Sequence, residues 1–251
     1  MLNRKQLPFA ARLNNIRVDI DAVLAHCREN GLLDINKYND IKYSAGSKHQ
    51  AFVVSNEFCK TNFFTETEAP TMEGERYKQL YLTDFDETKA SNKVSLHSTN
   101  IFERTKRLDP NDPRYLPEAD ELNYGVRNKY ATGPFKDILD SFKSKITRVR
   151  LAYLTAGFNI KPHVDYDPSY ITRYHIPLIT NNDVIMGFTH KNQDYLYQMP
   201  ADGSVYFFNS GIKHWVENNG SEDRLHLILD THGQEDLYDY TALAEMYLYS
   251  I

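Results

Sequence analysis

The sequence predicts a mainly β protein with flanking helices, built as a sandwich, jelly roll or barrel. Three observations lead there. From residue 147 onward, short apolar runs follow one another, at 147–155, 171–179, 184–189, 194–199, 204–208, 214–217 and 224–230. Turn-forming residues separate them: Gly157, Asn181 and Asn182, Asn192, Asp202 and Gly203, Gly211, and Asn218 to Gly220. Short strands broken this regularly mark a closed or paired β-sheet. Finally, 18 Tyr and 13 Phe among 251 residues favour a β-rich core, because aromatic side chains suit a pleated, half-buried surface.

The elements before the β-region are read one at a time. Ile20, Val23, Leu24 and Cys27 recur at helical spacing and Gly31 offers a natural stop, so residues 19–30 are a helix. Residues 51–58 and 79–85 read as strands. Residues 91–130 are rich in Asn, Asp, Pro and charge, centred on Asp109, Pro110, Asn111, Asp112 and Pro113. A long excursion of this kind is usually a lid or binding segment. Phe135, Ile138, Leu139 and Phe142 give a short amphipathic helix over 135–145, and 236–251 is expected to be a closing helix. The chain divides into a 1–90 α/β region packing on the core and a 91–251 core carrying the lid and the last helix. No repeat or low-complexity segment occurs.

Composition excludes some function classes. A net charge of −5 has the wrong sign for a general nucleic-acid binder. Cys27 and Cys59 are too few for a disulfide framework, and a cytoplasmic setting with reduced thiols is expected. No run approaches the roughly 18 apolar residues of a membrane helix, and the N-terminus lacks the apolar run of a signal peptide.

The chemistry centres on His163 and Asp165. Residues two apart on a strand face one side, so the imidazole and carboxylate can meet one metal ion. His214, after a Gly-containing turn, can supply a second imidazole, because a jelly roll brings early and late strands together. Two His and one carboxylate form a facial triad that leaves positions open on iron(II). Arg224 opens an apolar strand and needs a partner. A ligand carboxylate would suit its fork, while Asp223 or Glu222 is the plainer alternative. Arg173 and His175 share one strand face and could meet a second carboxylate, or could be rim residues. Arg104, Lys106, Arg107, Arg114 and Arg127 could meet a substrate carboxylate or be solvated. Tyr153, Tyr166, Tyr170 and Trp215 could line the pocket or belong to the core.

Five motifs occur in order: His163-x-Asp165; Arg173 to Pro177; Gly203 to Asn209; His214 to Asn218; and Arg224 to Asp230. Together, over roughly residues 148–232, they resemble the aspartyl/asparaginyl β-hydroxylase-like branch of the iron(II)/2-oxoglutarate-dependent oxygenases, and bacterial proline hydroxylases are as similar. The resemblance implies a double-stranded β-helix, cupin-like. It implies iron on His163, Asp165 and His214, with dioxygen as oxidant. It places 2-oxoglutarate against Arg224, with Arg173 and His175 near that co-substrate. Retention of Asp165 argues for hydroxylation over halogenation. The substrate is expected to be an amino-acid-like small molecule. A protein side chain and a non-catalytic cupin-like metal sensor are the competing readings. Oligomeric state is not legible.

Overall fold

The computed structural model describes residues 1–40, 77–89, 110–111, 115, 117 and 120–244. In chain order they form β1 (Ala10–Arg17), α1 (Ile20–Glu29), β2 (Asn39–Asp40), β3 (Tyr77–Tyr81), β4 (Thr83–Asp84) and β5 (Val126–Arg127). There follow α2 (Pro134–Ser141), β6 (Lys145–Leu154), β7 (Asn159–His163), β8 (Thr172–Ile179), β9 (Val184–His190) and β10 (Gln193–Tyr197). The last strands are β11 (Ser204–Phe208), β12 (Lys213–Asn218), β13 (Arg224–His232) and β14 (Tyr240–Ala242).

Two antiparallel sheets carry the molecule. The larger runs β14-β1-β11-β8-β13-β6-β3-β2, and the smaller runs β10-β9-β12-β7. Within them, β6 to β13 pair as first-eighth-third-sixth in one sheet and second-seventh-fourth-fifth in the other. That interleaving is the double-stranded β-helix, and the expected fold class is what the structure has.

Strand alternation decides what each face buries. On β13, Leu225, Leu227 and Leu229 face one way and join Val149, Leu151, Tyr174, Ile176 and Leu178 in a core shared with α1 and α2. Ile228 faces the other way and packs with Ala152, Leu154, Tyr206 and Phe208 against Ile160, Met186, Phe188 and Val216 of the smaller sheet. Arg224, His226 and Asp230 share the parity of Ile228, so the same rule that builds the core lines the space between the sheets with polar groups.

Local chemistry explains the element ends. Asp19 caps α1 by accepting from the Ala22 amide at 3.0 Å, and Gly31 follows the helix in the left-handed region at φ +61°. In the smaller sheet, Gly187 lies beneath the Trp215 indole, and a Cβ there would stand 2.1 Å from Trp215 Cε2. Only glycine fits that crossing.

Within residues 1–90, β1, β2 and β3 are strands of the eight-stranded sheet itself. Several expectations are corrected here. β1 has no counterpart in the sequence reading: Asn14 and Asn15 fall where its ladder with β11 slips, and they look like a turn. β7 is broken in the sequence by Pro162, which is tolerated because β7 is an edge strand paired only with β12. The closing helix is not found in its described part. Residues Glu235–Tyr238 make a short 3-10 turn, and β14 then pairs with β1. Tyr240 and Thr241 suit an edge strand, and Asp236 is tied down by the amides of Lys143 and Ser144. The expected strand at 51–58, most of the 91–130 segment and residues 245–251 lie outside the described residues.

Candidate metal centre

The β7–β12 ladder sets His163 opposite His214, with ring centroids 4.2 Å apart. Each ring turns Nδ1 onto a backbone carbonyl two residues earlier, His163 onto Lys161 at 2.7 Å and His214 onto Ile212 at 2.8 Å. A carbonyl only accepts, so both Nδ1 atoms carry the proton and both Nε2 lone pairs are left for a ligand. The Asp165 amide donates to Ser210 O at 2.9 Å, which ties the loop after β7 to the turn before β12. Asp165 Oδ1 lies 4.0 Å from His163 Nε2, and Oδ2 lies 3.9 Å from His214 Nε2. One ligand atom from each residue falls within 4.8 Å of the others.

The electrostatics match that geometry. Burial pushes the Asp165 carboxyl up, but Arg173, His163 and His214 outweigh it and hold the group well below the usual carboxylate range. Burial, reinforced by His163, pushes His214 down to about 3, so its imidazole is neutral at physiological pH. Two imidazoles, one carboxylate and no thiolate form a donor set that suits iron(II).

A second constellation lies deeper between the sheets. Arg224 is 1 % exposed. Its NH2 donates to His226 Nδ1 at 2.8 Å, and its Nε has no hydrogen-bond partner. No carboxylate pairs with it among the described residues, and Asp223, the plainer candidate, instead accepts from the Ala156 amide. Burial draws the Arg224 pKa down to about 10. Because a guanidinium only donates, His226 Nδ1 is the acceptor and its proton sits on Nε2, which is also unpartnered. His175 Nδ1 approaches His226 Nδ1 at 3.3 Å and therefore donates, leaving His175 Nε2 as an unpartnered acceptor. Burial, and next the Arg224 charge, hold both histidines well below the usual imidazole range. Buried donors without partners are costly, and a carboxylate would satisfy those of Arg224 and His226 together.

Arg173 sits differently from His175. Its guanidinium bonds to Asp165 Oδ2 through NH1 and to Asp230 through Nε at 2.8 Å and NH2 at 3.3 Å. Asp230, fully buried, also accepts from Arg148 at 3.0 and 3.2 Å and from Arg150 at 2.7 Å. Arg148 reaches on to Glu121 at 3.4 Å. Next to Glu121, Asp120 accepts from the hydroxyls of Tyr115 at 2.5 Å and Tyr170 at 2.6 Å. Tyr170 lies on the loop that carries Asp165, so Asp120, with Tyr115 bonded to it, is fastened to that loop.

Sequence reasoning did not assign roles to Arg148, Arg150, His226, Asp230, Asp120 or Glu121. The signal for the strand residues was parity: each polar side chain shares the inward face of its strand. Other expected residues lie elsewhere. Arg127 pairs with Asp140 at 2.6 Å. Tyr153 packs against Tyr38 at the helix-covered core, and Trp215 covers Gly187, so neither lines the site. Tyr166 stacks edge-on against Tyr170 at 5.0 Å. Arg104, Lys106, Arg107 and Arg114 lie outside the described residues.

The double-stranded β-helix brings together a His-Asp-His group whose ligand atoms lie close enough to hold a metal ion. Residues 127–233 match the aspartyl/asparaginyl β-hydroxylase family model, so over that stretch the chain is similar to a family of hydroxylases, oxidoreductases by reaction type. No curated protein matches significantly. Among solved structures, a 2OG-Fe(II) oxygenase family oxidoreductase from Burkholderia pseudomallei shares 14 % identity. The match covers 65 % of this chain and 72 % of that one, with a TM-score of 0.36. A cupin domain from Bordetella pertussis shares 13 % identity over 37 % of this chain and 88 % of that one, with a TM-score of 0.29. At those scores neither structure bears on function. Among the described residues, no helix is long and apolar enough to cross a membrane.

Proposed function

We propose that the protein is an iron(II)- and 2-oxoglutarate-dependent dioxygenase that hydroxylates an unactivated C–H bond of a free amino acid or related small molecule. His163, Asp165 and His214 would hold the metal, and Arg224 would bind the distal carboxylate of 2-oxoglutarate with His226 and His175 beside it. Iron(II), 2-oxoglutarate and dioxygen supply the oxidant, with succinate and carbon dioxide as by-products. The chain's own contribution is to fix the ligand rings through their Nδ1 bonds, to keep water from the buried donors, and to orient the co-substrate.

The observation that carries this reading is Arg224, a fully buried cation that has no acidic partner among the described residues and faces the same inter-sheet space as the triad. A bare metal-binding module has no need of such a group. The Asp120–Tyr170 bond, which fastens a further segment to the loop carrying Asp165, favours a compact substrate over a folded protein partner.

The test is anaerobic addition of iron(II) and 2-oxoglutarate. A visible charge-transfer band should develop, and oxygen should then yield succinate. Twenty amino acids and simple peptides, read by product mass, separate free amino acid from side-chain hydroxylation. A band that never yields succinate with any of them favours a sensor, and no band at all removes the co-substrate assignment.

A further inference from the structure

We infer that Arg173 is a positioning residue for the metal ligand Asp165, not a binding residue for the co-substrate; this rests on the metal reading above. The guanidinium lies between two carboxylates, with NH1 on Asp165 and the Nε/NH2 edge on Asp230. All three groups are nearly buried, with side-chain exposures of 8 %, 7 % and 0 % for Arg173, Asp165 and Asp230. A further carboxylate could take this fork only by displacing one of the two, and it would bring like charges together in a buried space.

With one oxygen held by Arg173, the Asp165 carboxylate has the other to give a metal. Its rotation is fixed, and the carboxylate stays aimed at the two Nε2 atoms. Groups that orient a ligand in this way commonly matter about 10- to 100-fold in metal affinity. A guanidinium beside a dication would by itself repel it. Asp230 offsets that charge, and Arg148 and Arg150 anchor Asp230 in turn. Asp165, Arg173, Asp230 and Arg148 thus form a row of alternating charge that ends against Glu121, whose carboxyl burial pushes up to about 8.

The experiment is anaerobic titration with cobalt(II), read by calorimetry and by the visible ligand-field bands, followed by 2-oxoglutarate titration at saturating cobalt. Arg173→Gln should weaken cobalt binding about 10- to 100-fold and alter the bands, while 2-oxoglutarate affinity at saturation stays near the parent value. Arg173→Lys, which keeps the charge but has a single donor head, should recover part of the loss. If Arg173→Gln does not fold by circular dichroism, Arg173→Lys alone carries the same readout. Unchanged cobalt affinity overturns the inference, whether 2-oxoglutarate binding falls or not. His214→Ala is the control: cobalt binding at parent strength in that variant would refute the metal reading itself.

Discussion

Asp230→Asn keeps the shape of the side chain and removes its charge from the middle of three guanidinium groups. The parent carboxylate is completely buried and accepts from Arg148, Arg150 and Arg173 at 2.7 to 3.3 Å. Removing one partner from a buried ion network leaves the others uncompensated and typically costs about 3–5 kcal/mol. That is a large share of the ~5–15 kcal/mol that holds a folded chain together. The pH dependence has a definite sign. Burial opposes ionisation, but the three arginines hold the Asp230 carboxyl well below the usual range, so its folded pKa lies beneath the unfolded value of about 3.9. Such a group contributes stability that is present above the unfolded pKa and lost as the pH falls through the folded one. Urea unfolding followed by the fluorescence of Trp215, the sole tryptophan, reads both effects. At pH 7 the variant should be less stable by about 3–5 kcal/mol, and the gap should narrow as the pH drops below about 4. A variant within about 1 kcal/mol of the parent at pH 7 would show that the network contributes little, and the argument would fail.

Three further outcomes are expected. His214→Ala should lose iron(II) in equilibrium dialysis, since one of three ligand atoms goes; retained stoichiometric binding would rule the triad out. Arg224→Ala should raise the 2-oxoglutarate requirement by at least about 30-fold, the lower end for truncating a buried charge partner, while metal binding is kept. An unchanged KM for 2-oxoglutarate would remove Arg224 from that role. Gly187→Ala puts a methyl into the Trp215 indole and should cost about 1–3 kcal/mol, visible as a lower thermal midpoint with shifted tryptophan emission. An unshifted midpoint would mean that the sheet relaxes more freely than its packing implies.

The strands from 145 to 232 other than β7 were legible because alternation is a local property: Leu225, Leu227 and Leu229 announce one face of β13 without knowledge of any neighbour. α1 was legible for the same reason, with its cap and stop residues in sequence. β1 and β7 were not, since Asn14, Asn15 and Pro162 are turn residues by type, and only the bulge and the edge position make them acceptable within strands. The triad residues could be picked out by type and order, and the structure brings their ligand atoms together. The pairing of Arg173 with Asp165 and Asp230 was out of reach. It depends on the registers of β6, β8 and β13, which set Arg148, Asp230 and Arg173 side by side across three strands. No spacing along one strand encodes that. The missing acid beside Arg224 was equally hidden, because Asp223 is its immediate neighbour in sequence and turns to the Ala156 amide only in three dimensions.

The seat of β1 has a consequence for how the molecule assembles. Residues 10–17 pair with β11 near residue 204 on one side and with β14 near residue 240 on the other. The segment before β1 is held as well, because the Asn209 side chain donates to the carbonyls of Arg4 and Pro8, and Arg4 NH1 donates to Gly211 O just ahead of His214. During synthesis the first strand emerges roughly ten seconds or more before its partners, at typical elongation speeds of about 5–20 residues per second. Until then it is an unpaired edge, and contacts so distant in sequence place the fold among the slow, non-local topologies. His214 follows β11 in the chain, so the ligand set is completed late in synthesis, and a chain stalled short of β11 would expose β1 while lacking a complete ligand set.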